Sequence, residues 1–93
     1  MRFEWNPAKT AANLRKHGVS FDEAVTVFAD PLAAIFDDDD HSETEQREII
    51  IGHSSRHHLI VVCFTQRTET VRIFSARRAS SNERKDYEEN RGS

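Results

Sequence analysis

Apolar positions recur along this chain with two different periods, and those periods divide it into helices and strands. Phe3 and Trp5 alternate with Arg2 and Glu4, which predicts a short strand with both rings on one face. Asn6-Pro7 predicts a helix start, because Asn accepts hydrogen bonds at an N-cap and Pro suits the first helical position. This helix is expected over residues 7–17, with Gly18 as its left-handed C-terminal residue. Its apolar side is Ala8, Ala11, Ala12 and Leu14, which predicts close packing on something flat. Ser20-Phe-Asp-Glu23 reads as a capping box, with the serine reaching forward and the glutamate back. Phe21, Ala24, Val25 and Phe28 then keep the spacing of one buried helix face, until Asp30-Pro31 ends it.

The second half changes period. Residues 32–36 and 47–53 predict strands, separated by a loop over residues 37–45 in which four consecutive aspartates repel one another. Residues 59–64 are apolar without alternation, as expected of a central strand covered on both faces. Residues 71–77 alternate, predicting Val71, Ile73, Ser75 and Arg77 on one face and Arg72, Phe74, Ala76 and Arg78 on the other. Ser80-x-x-Glu83 is a second capping box, and it opens a helix with only Ala79 and Tyr87 to bury. Such a helix is marginal alone and holds its place by docking. The expected architecture is α+β: β-α-α, an antiparallel meander of about four strands, then a C-terminal helix. Residues 1–91 form a single domain, and Gly92-Ser93 read as a cloning remnant.

Charge alters this picture more than overall composition does. The net charge is −3, but residues 37–48 hold seven acids and one base. Outside them stand 12 bases and 9 acids, a net of +3, and residues 56–78 hold five Arg against one Glu. The chain therefore reads as a basic surface carrying an acidic loop, and a basic surface suits a phosphate-bearing partner. The single cysteine, Cys63, excludes an internal disulfide and is expected to be buried packing. No secretory signal and no membrane-length apolar run occur, so a cytoplasmic location is expected.

Several stretches carry a family resemblance. They are Phe3-Glu-Trp-Asn-Pro-x-Lys9, Asn13-x-x-Lys-His-Gly-Val-Ser-Phe-x-Glu-Ala24, Asp40-His-Ser-x-x-Glu-x-Arg47, Gly52-x-Ser54 and Arg72-Ile-x-Ser-Ala-Arg-x-Ala79 leading to Glu83-Arg-x-x-Tyr87. Together they resemble the BrnT family of bacterial toxins over nearly the whole chain. Asn6 stands where the family often has Asp, and Phe74 where Ile is usual. The resemblance implies a RelE-like fold and a ribonuclease activity that shuts down translation. It also implies a ribbon-helix-helix antitoxin encoded nearby, which would bring the complex to DNA.

RNA cleavage without a metal needs a base for the 2′-hydroxyl, cations for the phosphate and help for the leaving oxygen. Arg77, at a strand end with a planar fork that matches phosphate oxygens, is the first candidate. Arg47, Arg67 and Arg72 follow, although each alone is equally a surface ion-pair residue. Glu83 and Tyr87 share a helix face, with Arg84 adjacent. Glu83 is a cap or a chemical group, and Tyr87 an anchor or a base-stacking and proton-handling group. His17 is a candidate acid or base beside Lys16, though both also suit a helix C-terminus. Lys9 adds a further phosphate contact. The rival chemistry is a Mg²⁺-dependent nuclease built on residues 37–45 with His41, and the rival class is a binding module for protein or RNA without chemistry. A zinc site at His53, His57 and His58 is not expected, and no cofactor is assigned.

Overall fold

The computed structural model describes residues 1–38 and 45–91, including the side chains of 45–89. The elements run β1 (Arg2–Glu4), α1 (Pro7–His17), α2 (Phe21–Val27), β2 (Ala34–Asp37), β3 (Glu48–His53), β4 (Leu59–Gln66), β5 (Thr70–Arg78) and α3 (Ser81–Arg91). One mixed five-stranded sheet has the order β1-β5-β4-β3-β2. The meander β2 to β5 is antiparallel throughout, and β1 joins its far edge in parallel, with Phe3 opposite Val71. A parallel neighbour needs a crossover connection, which here consists of both helices and three strands. No local pattern near residue 3 announces that partner.

The sheet has two unlike faces. Ile50, Ile60, Val62, Phe64, Val71, Ile73 and Ala76 meet Val19, Phe21, Ala24 and Val27 in the main core. Phe3 closes that core in a tilted contact with Phe28 and Trp5 edge-on against Phe21, with ring centroids 5.1 and 5.8 Å apart. On the reverse face, among the described residues, Ile51, Leu59, Val61 and Tyr87 form the buried cluster, so α3 covers one end and no other described helix covers the rest. β4 lies in the middle of the sheet with residues 59–62 fully buried, as its unbroken apolar run predicts.

Three expectations change. The alternation along β5 is interrupted: Cys63 pairs with Ser75 and Phe64 with Ile73, so Phe74 is the extra residue of a bulge. Ala76 therefore joins Val71 and Ile73 in the core, and Arg77 moves to the open face. The apolar side of α1 is not packed closely on the sheet: Ala8, Ala11 and Ala12 are exposed, and Leu14 is 51% exposed. The helix is instead held by Asn13, whose amide donates to the carbonyls of Val19 (2.8 Å) and Ala76 (2.7 Å) and accepts from the Ala76 N–H (3.2 Å). β1 pairs only with residues 70–72, so the edge of β5 at Ala76 has no strand beside it, and the Asn13 amide takes that strand's place.

The first capping box is half formed. Ser20 Oγ accepts from the Glu23 N–H (3.0 Å), but the Glu23 carboxylate turns to Ser54 Oγ (2.7 Å) and His58 Nδ1 (2.9 Å). Burial pushes the Glu23 pKa up. The hydrogen bonds from Ser54 and His58 outweigh that, and the group ends below its ordinary value. Gly52 is required beside it, since a Cβ there would lie 2.8 Å from the Ala33 Cβ. The second capping box is complete: Ser80 Oγ accepts from the Glu83 N–H (3.2 Å) and Glu83 Oε1 accepts from the Ser80 N–H (2.8 Å).

Candidate functional site

The open part of the reverse face holds a pocket of about 440 Å³, lined by Lys9, Asp38, Arg47, Ile49, Val61, Cys63, Phe74, Ser75 and Arg77. Its cations come from three separated parts of the chain. Lys9 lies one helical turn before Asn13 on the same side of α1, so the amide that fixes α1 to β5 also aims the lysine past the sheet edge. Arg47 precedes β3, and the backbone hydrogen bond from Asp38 N–H to Arg47 C=O (2.8 Å) clamps it opposite the end of β2. Arg77 reaches this face because of the bulge.

Phe74 sits at the centre. The Arg47 guanidinium lies 4.0 Å above its ring centroid, and Lys9 Nζ approaches to 5.9 Å. Cation–π attraction helps to hold both groups near the ring. Arg77 is oriented differently, by two parallel hydrogen bonds to the Glu83 carboxylate (2.7 and 2.8 Å). The Arg77 hydrogen bonds and the Ser80 N–H hold the Glu83 pKa down to about 2 against an ordinary 4.5. A depressed carboxylate stabilises the fold fully above the unfolded value and loses that contribution as pH falls through the folded one. The link between α3 and Arg77 is thus complete above about pH 4.5 and fails only near 2. Glu83 is a fixed anion and does not exchange protons near neutrality.

Cys63 is half-buried and lines the pocket, with its thiol 3.5 Å from Asp38 Oδ2. Burial, and then the Asp38 carboxylate, push its pKa up to about 11. The thiol is therefore protonated at neutral pH and unreactive. Iodoacetamide is expected to alkylate the folded protein far more slowly than the denatured protein at pH 8, with the rate rising until about pH 11. Mass spectrometry of quenched samples measures both rates.

The pocket collects some of the candidates and leaves others outside. Tyr87 is 4% exposed, packs on His53 (5.4 Å between centroids) and donates to Asp30 Oδ2 (3.2 Å). This is the anchoring arrangement, and the tyrosine does not line the pocket. Arg67 is held by Glu45 (2.9 Å) and Glu4 (3.4 Å), Arg72 lies 3.9 Å from Glu4, and Arg84 lies 3.8 Å from Glu88. Neither these three nor Lys16 and His17 line the pocket. Of the acidic loop, Asp39, Asp40, His41 and Glu43 lie outside the described residues. Among the described residues no three His, Cys, Asp or Glu side chains come together as metal ligands, and His53 and His58 pair with different carboxylates. Phe74 belongs to the pocket and escaped a reading by residue type, whereas Asp38, read as part of the acidic loop of the rival metal-dependent chemistry, lies instead at the wall of the basic pocket. The signal for Phe74 was an aromatic where the resembled family usually has Ile.

A small α+β domain with cations gathered around an aromatic ring on an open sheet face has the layout of a protein that grips a phosphate-bearing chain. The chain belongs to the family described as ribonuclease toxin, BrnT, of type II toxin-antitoxin system, whose profile matches residues 5–83. That span includes Lys9, Asp38, Arg47, Phe74, Arg77 and Glu83. The chain is similar to the Brucella abortus ribonuclease toxin, BrnT, known from a 1.1 Å crystal structure. The TM-score is 0.67 at 25% identity, covering 87% of this chain and 99% of that one. No curated protein matches. No helix among the described residues is long and apolar enough to cross a membrane.

Proposed function

We propose that this protein is a metal-independent endoribonuclease toxin that cleaves RNA in the pocket around Phe74 and thereby inhibits translation. The observation that carries the reading is the convergence of Lys9, Arg47 and Arg77 on one open pocket. The scissile phosphate lies among these three cations, which stabilise the charge that develops on its oxygens. The 2′-oxygen attacks phosphorus, the P–O5′ bond breaks, and the products carry a 2′,3′-cyclic phosphate and a 5′-hydroxyl. Asp38, the carboxylate lining the pocket, accepts the 2′ proton, and the departing O5′ takes a proton from solvent to become the 5′-hydroxyl. Phe74 offers an aromatic surface to a neighbouring base. Glu83 and Tyr87 act at one remove: Glu83 orients Arg77, and Tyr87 fixes the helix that carries Glu83. Lys16, His17, Arg67, Arg72 and Arg84 contact flanking RNA. A ribbon-helix-helix antitoxin neutralises the enzyme and carries the complex to DNA, and the RelE-like chemistry of the resembled family is the model for the reaction.

Incubating the purified protein with RNA in EDTA tests this. Cleavage with cyclic-phosphate ends is the expected result. Cleavage that requires added Mg²⁺ transfers the chemistry to the acidic loop. Binding without cleavage under either condition makes the protein a binding module.

A further inference from the structure

Three of the large exposed apolar side chains crowd one sheet edge: Leu32, Ile35 and Phe36 are 51, 55 and 51% exposed. Among the described residues β2 is the outermost strand and pairs only with β3, which leaves its outer row of backbone N–H and C=O groups available to a further strand. Edge strands are usually protected by charge, proline or a covering element. Here apolar side chains occupy both faces of the edge. Ile35 stands opposite Ile50 on the helix-covered face, and Phe36 opposite Ile49 on the α3 face. Beside Phe36 a cleft of about 370 Å³ runs between Leu32, Ala34 and Tyr87.

Charge identifies the occupant. At the end of the strand Asp37 stands directly opposite Glu48, a like-charge pair that costs stability until a cation joins it. No Lys or Arg occurs anywhere in residues 17–46. A second copy pairing its own β2 along this edge would therefore bring apolar side chains but no cation from that strand. A different polypeptide, apolar and basic, satisfies both features. We propose that a segment of the antitoxin adds as a strand beside β2, covers Ile35 and Phe36 with its own apolar side chains, and places Lys or Arg on Asp37 and Glu48. The strand supplies main-chain affinity, and the alternating pockets supply selectivity. This rests on the toxin-antitoxin family assignment and not on the cleavage mechanism.

The test combines the cognate antitoxin, isothermal calorimetry and an RNA-cleavage assay. Ile35→Lys/Phe36→Lys is expected to weaken antitoxin binding by about 100-fold or more, while cleavage by the free variant stays within about twofold of the parent, because neither residue lines the pocket. Asp37→Asn/Glu48→Gln is expected to weaken binding by about tenfold and to flatten its salt dependence. Unchanged affinity in the Ile35/Phe36 variant overturns the proposal. So does a parent that self-associates by light scattering through these residues, with antitoxin affinity untouched by their replacement. Calorimetry reads binding whether or not the protein cleaves RNA, so failure of the ribonuclease reading shows separately, as a parent protein without cleavage.

Discussion

Replacing Arg77 by Ala is expected to lower kcat/KM for RNA cleavage by about 10²–10³-fold, the usual loss when one donor to a developing charge is removed. Arg77 is held by a bidentate carboxylate contact, so its fork enters the reaction already oriented. The loss should fall mainly on kcat, because charge on the phosphate oxygens grows between ground state and transition state. Lys9 and Arg47 would still bind the ground-state phosphate. Stability should change little, since the pair is largely exposed and such pairs contribute about 0–1 kcal/mol. The substitution also leaves the Glu83 carboxylate beside the pocket without its partner. Arg77→Ala/Glu83→Gln separates the two effects, because Gln retains the capping geometry without the charge. A double variant recovering only about tenfold or less keeps the arginine as the principal loss. An Arg77→Ala protein that cleaves within about threefold of the parent would remove this residue from the mechanism.

Asn13→Ala is expected to destabilise the fold by about 3–5 kcal/mol, because it leaves three buried backbone groups at Val19 and Ala76 without partners. For a domain whose whole stability is about 5–15 kcal/mol that is a severe loss, equivalent to a fall in Tm on the order of 15–25 °C. Thermal unfolding followed by circular dichroism measures it. Leu14→Ala, on the same helix, provides the contrast: its side chain is half exposed, and the change should stay within about 0.5 kcal/mol. If the two substitutions cost the same, α1 is held by its apolar side after all. Asn13 also positions Lys9, so a folded Asn13→Asp protein, which keeps the acceptor and loses the donor, should bind RNA more weakly than the parent.

The local signals in the chain were strong where one period dominated. The Ser20 and Ser80 caps, Gly18 at the end of α1 and the apolar run of β4 each prescribe a backbone state by chemistry acting within a few residues. Asn13 was invisible by the same logic. A polar residue in a helix flanked by alanines and a leucine reads as surface, and its role appears only when Ala76, 63 positions away, arrives without a strand beside it. Glu23 misled in the opposite sense, since its capping role was locally plausible and Ser54 and His58 competed successfully for its oxygens. Cys63 was expected to be buried packing, and it is half-buried at the wall of the pocket.

The site divides along the same line. Lys9, Arg47 and Arg77 were each recognisable as cations suited to phosphate, and each had an equally good reading as an ordinary surface charge. What distinguishes them from Arg67, Arg72 and Arg84 is position: the first three line one pocket with Phe74, whereas the others lie outside it beside Glu45, Glu4 and Glu88. Charges act together on a substrate only when they lie close to one another, and that condition is set by contacts between distant segments. From its sequence alone the chain determined its helices, its antiparallel meander, the basic half with an acidic loop, and the family to compare it with, because these depend on residue type and short spacing. The tertiary structure alone decided that β1 lies parallel to β5, that one bulged residue carries Arg77 to the open face, and that Tyr87 anchors α3 while Phe74 faces the pocket. Strand register depends on which segments meet, and a shift of one residue exchanges the buried face for the exposed one.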